Sequence, residues 1–74
     1  VFINTEVGAE SDVKKEIETN PEVRRVDLVY GLYDLVVLLE AQSQDDLKAV
    51  ISEKIRKIAK VTSTLTMPVI TKKF

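Results

Sequence analysis

The chain has 74 residues, with 11 basic against 12 acidic side chains for a net charge of −1, and it contains neither cysteine nor histidine. That describes one domain, residues 1–74, near the lower size limit for a chain that folds alone, with disulfides and the common soft metal sites excluded together. The charge balance gives no electrostatic case for nucleic acid, and the longest apolar run, Leu35–Leu39, is far too short to span a membrane. No apolar leader opens the chain, so a cytoplasmic location is expected, with self-association as the natural support for a core this small. The first residue is valine rather than methionine, which points to a trimmed chain or a fragment.

Residues 1–7, VFINTEV, read as a strand with Val1, Ile3, Thr5 and Val7 on one face, ended by Gly8. From Ser11 to about Asn20 the pattern is helical, with Val13 and Ile17 four apart, and the Asn20-Pro21 step stops it. VRRVDLVY follows as a second strand, with Val26, Leu28 and Tyr30 on one face. Gly31 and Leu32 read as a two-residue hairpin connection to a third strand, Tyr33 to about Ala41. Ser43 and Asp46 resemble a capping box opening a helix with an apolar stripe of Leu47, Val50, Ile51, Ile55 and Ile58. The last segment, VTSTLTMPVIT, is a fourth strand with Leu65, Met67 and Val69 on one face. Pro68 cannot donate to a ladder and assigns this strand to an edge.

The order β-α-β-β-α-β, in two length-matched halves, predicts an α+β, ferredoxin-like sheet of strand order 4-1-3-2, with both helices on one face. Strand 3 then poses a problem. Leu35, Val37 and Leu39 share one face and Val36 and Leu38 share the other, so the strand is apolar on both. A single helical layer covers only one of them. Leaving the other in water forgoes roughly 1.5–3 kcal/mol per large side chain. The expected solution is a second copy, sheet against sheet, with Leu35, Val36, Val37, Leu38 and Leu39 as the interface strand of a dimeric α+β barrel.

The chemistry open to the chain is narrow. Without histidine the nucleophilic triads are nearly closed, and two glycines cannot build a phosphate cradle. Glu16 with Glu18, and Asp45 with Asp46, are ordinary solvated helix charges. Lys54, Arg56, Lys57 and Lys60 are the polar face of an amphipathic helix. RNA-recognition domains share this element order but present stacking aromatics on their middle strands, where this chain offers mostly Val, Ile, Asn and Leu. No catalytic residue, metal ligand or cofactor is predicted. Two polar features remain: the Gly31-Leu32-Tyr33-Asp34 turn and the run of Thr62, Ser63, Thr64 and Thr66. Each has a bland account as turn chemistry or β-propensity.

Taken together, the segment VRRVDLVYGLYDL resembles the core of the Lrp/AsnC family of feast/famine regulators, specifically their C-terminal effector domain, also called the RAM domain. FINTEVG is similar to that domain's first strand, NPEV to its helix-to-strand corner and KVTSTLTMPVI to its closing strand, so the likeness covers the whole chain. The resemblance implies a non-enzymatic module that senses amino acids and regulates the transcription of amino-acid metabolism. It implies dimers that assemble into octamer-like rings, with a small amino-acid effector bound between dimers. By position, Gly31, Leu32, Tyr33 and Asp34 would form the effector loop, and Thr64 and Thr66 would face it. Asp34 would pair with the ammonium group. No helix-turn-helix is present in these residues, so the implied form is a stand-alone domain or a piece of a regulator. DNA would then be reached only through DNA-binding paralogues. Two other classes share the topology. Cofactor-free enzymes of the dimeric α+β barrel type would rely here on Asn4 and Tyr30. ACT-like regulatory domains would use Gly8.

Overall fold

A computed structural model describes residues 1–69 of the chain. Its elements are β1 (Phe2–Thr5), α1 (Glu10–Glu18), β2 (Val23–Leu28), β3 (Leu35–Leu39), α2 (Gln44–Val50), which runs on as a π-helical segment Ile51–Ile55, and β4 (Val61–Leu65). The strands form one antiparallel sheet of order β2-β3-β1-β4. This is the predicted ferredoxin-like arrangement, with β1 and β3 central and β4 at an edge.

Both helices pack on the same side of the sheet. Val13 and Ile17 of α1 and Ile55 and Ile58 at the end of the α2 region share one core with Ile3, Val26, Leu35 and Val37. Ile3, Ile17, Leu35 and Ile55 are wholly buried, each stabilising the fold by about 1.5–3 kcal/mol. Of the stripe read for the second helix, Val50, Ile51, Ile55 and Ile58 are buried, while Leu47 is only half-buried. Ser43 Oγ caps that helix by accepting the Asp46 N–H at 3.1 Å. The helix does not stay α to its end, since Arg56 N–H reaches back five residues to Ile51 O at 2.9 Å.

Both edge strands carry a bulge. In β2 the register slips between Val23, opposite Leu39, and Arg25, opposite Leu38. Arg24 is therefore the extra residue, and Val23 and Val26 fall on the same helix-facing side despite their odd spacing. In β4 the slip sets Ser63 opposite Asn4 but Val61 opposite Thr5, which leaves Thr62 as the extra residue.

Several predicted boundaries are corrected. β1 ends at Thr5, because the chain turns through Gly8, at φ +83°, with Ala9 N–H closing on Glu6 O at 3.0 Å. Val7 is thereby wholly exposed instead of sharing the Ile3 face. The first helix stops at Glu18, with Thr19 and Asn20 side chains donating to Glu16 O and Ile17 O. The β2–β3 connection is the six-residue loop 29–34, not the two residues Gly31 and Leu32, so Tyr30 and Tyr33 lie in the loop. β4 ends at Leu65, opposite Phe2 at the start of β1, where the partner strand runs out. Thr66, Met67, Pro68 and Val69 follow the strand, so its edge position does not come from Pro68 within the ladder. The remainder of the predicted fourth strand, residues 70 and 71, lies outside the described residues.

Candidate functional site: the β2–β3 loop and the open face of the sheet

The loop 29–34 is fastened at both ends by Asp34. Val29 N–H donates to Asp34 O at 3.0 Å, and Asp34 N–H donates to Ile3 O at 2.9 Å. The carboxylate does more: Asp34 Oδ2 accepts the Thr5 N–H at 2.8 Å. The β1–β3 pairing stops at Ile3 and Leu35, the first residue of β3, so Thr5 has no β3 residue opposite it and a charged acceptor stands in for the missing strand contact. One carboxylate oxygen is thus structural, and Oδ1 accepts no hydrogen bond among the described residues.

Within the loop, Gly31 has φ +140°, a conformation L side chains rarely adopt, while a Cβ there would meet nothing within 4 Å. Backbone shape, not space, calls for glycine. The amides of Tyr30, Gly31, Leu32 and Tyr33 find no acceptor among the described residues. Tyr30 and Leu32 project almost fully into solvent. Tyr33 instead folds back, its ring 5.3 Å from that of Phe2 and tilted by 37°.

Phe2 belongs to the second element of the site, the sheet face away from the helices. Ile3 and Leu35 are paired and buried under the helices, so their neighbours Phe2 and Val36, also paired, lie on the other side. Leu65 pairs with Phe2, and Leu38 lies two residues beyond Val36. Leu38 is 53% exposed and Leu65 45%. Phe2, Val36, Leu38 and Leu65 thus form an apolar face that, apart from the Tyr33 ring against Phe2, no other element among the described residues covers.

The five residues read as an interface strand therefore divide. Leu35 and Val37 are buried beneath the chain's own helices, and Leu39 packs against the same core. Of the five, only Val36 and Leu38 reach the open face. Reading strand 3 alone missed Phe2 and Leu65. The signal for both was the same alternation in FINT and VTSTL, where one half of each strand faces the core and the other half must face away.

The sequence-based site residues are only partly brought together. Gly31, Leu32, Tyr33 and Asp34 form one loop. Thr64 pairs with Ile3 and faces the helix side, half-buried in a shallow hollow with Arg56, Val61, Thr62 and Ser63. Thr66 is exposed beyond the strand. β3 and β4 flank β1 on opposite sides, so the loop and the threonines stand about 10 Å apart in one chain. They do not line a common pocket. A concavity of about 500 Å³ lies at the other end of the β2–β3 pair, lined by Glu22, Arg24, Glu40, Ala49 and Lys54 among others, and it contains none of the predicted site residues. There Glu22 Oε1 is buried without a hydrogen bond and faces Lys54 Nζ at 3.7 Å. Among the described residues no cluster of carboxylates could hold a metal ion, and no helix is long and apolar enough to cross a membrane.

A family profile described as the Lrp/AsnC ligand binding domain matches residues 1–73. Among solved structures, the crystal structure of FFRP-DM1 is 39% identical, with a TM-score of 0.86 over 89% of this chain and 88% of that one. The crystal structure of the hypothetical protein PHS023 from Pyrococcus horikoshii is 36% identical, with a TM-score of 0.87 over 96% of this chain and 87% of that one. No curated protein sequence matches the chain significantly.

Proposed function

The chain belongs to the Lrp/AsnC ligand-binding domain family, and from that premise we propose that it is a non-enzymatic amino-acid sensor whose output is its state of assembly. The family is a ligand-binding regulatory one whose members typically oligomerise. In this reading residues 1–74 form a single effector-binding and oligomerisation module.

The observation that carries the reading is the open sheet face. Two copies stacked through Phe2, Val36, Leu38 and Leu65 remove the exposed part of those side chains from water, and for the half-exposed Leu38 and Leu65 that is about half the value of a full burial, roughly 1 kcal/mol each. Sheet faces pack about 10 Å apart in such a sandwich. The effector loop then lies outside the sandwich, with Asp34 Oδ1 free to take an ammonium group and free amides to take a carboxylate.

Because Thr64 and Thr66 stand across β1 from the loop of their own chain, the complete site needs a neighbouring dimer to supply a second wall. A ligand bound there favours the larger assembly, an octamer-like ring, by its differential affinity for the assembled state. Transcription of amino-acid metabolism is reached through co-assembly with DNA-binding paralogues that share the sheet face. An enzyme of the barrel type gains no support. Asn4 is engaged with Ser63 Oγ at 3.0 Å and Tyr30 is wholly exposed, so the two side chains suited to that chemistry do not converge.

Native mass spectrometry of the purified chain, with and without each of the twenty amino acids, tests the proposal. Multiples of a dimer, redistributed or mass-tagged by one amino acid, are expected. A monomer overturns the assembly, and dimers indifferent to every amino acid overturn the sensor.

A further inference from the structure

The loop also constrains which amino acid it takes, an inference that rests on the reading of residues 31–34 as the effector site. A bound amino acid offers an ammonium, a carboxylate and a side chain. Asp34 Oδ1 answers the first. The unpartnered amides of Tyr30, Gly31, Leu32 and Tyr33 answer the second. What answers the third is decided by the side chains the loop presents, and these are apolar: Val29 is 36% exposed, Leu32 89% and Tyr30 106%.

Counter-charges for an ionised side chain are sparse along the described segments that would face it, where Arg56, exposed to solvent beside Thr64, is the charged side chain at the threonine wall. From Leu28 to Leu39 the only charged side chain is Asp34, which the ammonium already occupies. From Val61 to Val69, the stretch that holds Thr64 and Thr66, there is none. The exposed apolar side chains after β4, Met67 and Val69, extend the same character. A cationic ligand side chain enclosed between such walls loses its hydration and gains no partner, and an anionic one finds only Arg56, which water already solvates, whereas an aliphatic one gains from burial.

We infer that the effector carries an uncharged, apolar side chain, and that Leu32 is the residue that selects it. Leu32 is in the same four-residue turn as the Asp34 carboxylate, and it belongs to neither the core nor the open sheet face. Its replacement therefore alters the ligand wall and leaves the fold in place.

The test is a titration of the ¹⁵N-labelled chain with L-leucine, L-methionine, L-lysine and L-glutamate, following the amide resonances of residues 30–34, repeated on Leu32→Glu. Leucine or methionine is expected to shift these amides at concentrations at least tenfold below lysine or glutamate. Leu32→Glu is expected to weaken leucine at least tenfold and to bring lysine level with it or ahead. Lysine or glutamate acting on the native loop as readily as leucine overturns the selectivity while the site stands. Undiminished leucine binding by Leu32→Glu overturns the role of Leu32. Loop amides that respond to none of the four, or shifts confined to other parts of the chain, overturn the site itself and the selectivity with it.

Discussion

Leu35 and Leu38 lie in the same five-residue strand, and they belong to different structures. Leu35 is wholly buried beneath the chain's own helices, while Leu38 is 53% exposed on the far face of the sheet. One leucine is accounted for by the fold of a single chain. The other is covered by no element among the described residues, and a second copy's sheet is the proposed cover. In the proposed dimer a strand apolar on both faces serves two cores, one intrachain and one between copies, and the two can be separated by mutation.

The largest effect should follow from Leu35→Ala, which opens a cavity where nothing can relax into it. About 2–5 kcal/mol of stability is expected to be lost, read as a drop in urea midpoint relative to the native chain that is the same at every protein concentration. Leu38→Ala should strike the other core. The assembly is expected to weaken by roughly 1 kcal/mol per Leu38 side chain, about half the value of a full burial because each is half-exposed before pairing, seen by analytical ultracentrifugation as a shift toward monomer. If Leu38→Ala lowers stability equally at all concentrations and leaves the dimer intact, the two-core account is wrong.

Asp34→Ala removes the acceptor of the Thr5 amide and should cost about 1.5 kcal/mol or somewhat more. Asp34→Asn, which keeps an oxygen, should restore part of the stability by thermal melting but none of the amino-acid response. The smallest change is Ser43→Ala, which strips the cap from the helix over Leu35. Roughly 1 kcal/mol is expected to be lost with the dimer constant of the refolded protein unchanged. A loss of assembly in this variant would mean that the helical layer and the open face are not independent.

Much of this was legible beforehand, because element order and sheet topology follow from short-range patterns: the Val13/Ile17 spacing, the Ser43 cap and the Asn20-Pro21 stop. Family resemblance at VYGLYDL pointed to the loop for the same reason, since its residues are contiguous. What sequence spacing could not give was set by contacts between distant segments. Val23 and Val26 share a face only because β2 carries an extra residue opposite β3. The connection is six residues long because Asp34 turns from β2 toward Ile3 and Thr5 of β1, about thirty positions away in the chain. Thr64 looked like a partner of the loop by family position, yet pairing with Ile3 puts it across β1 and toward the helices. The open face was foreseen on β3 alone, since Phe2 and Leu65 join it through strand pairing that no local window contains.

The Thr5–Asp34 hydrogen bond has a thermodynamic reach beyond its own strength. A six-residue loop free at both ends would lose on the order of 1–2 kcal/mol of backbone entropy per residue when a ligand ordered it. Here the loop is anchored to the central strand before any ligand arrives, so much of that entropy is lost during folding. Binding then draws on pre-organised groups and keeps more of its interaction free energy as affinity. In the proposed sensor, such a starting point helps a small molecule with few atoms to offer to shift an assembly of whole domains.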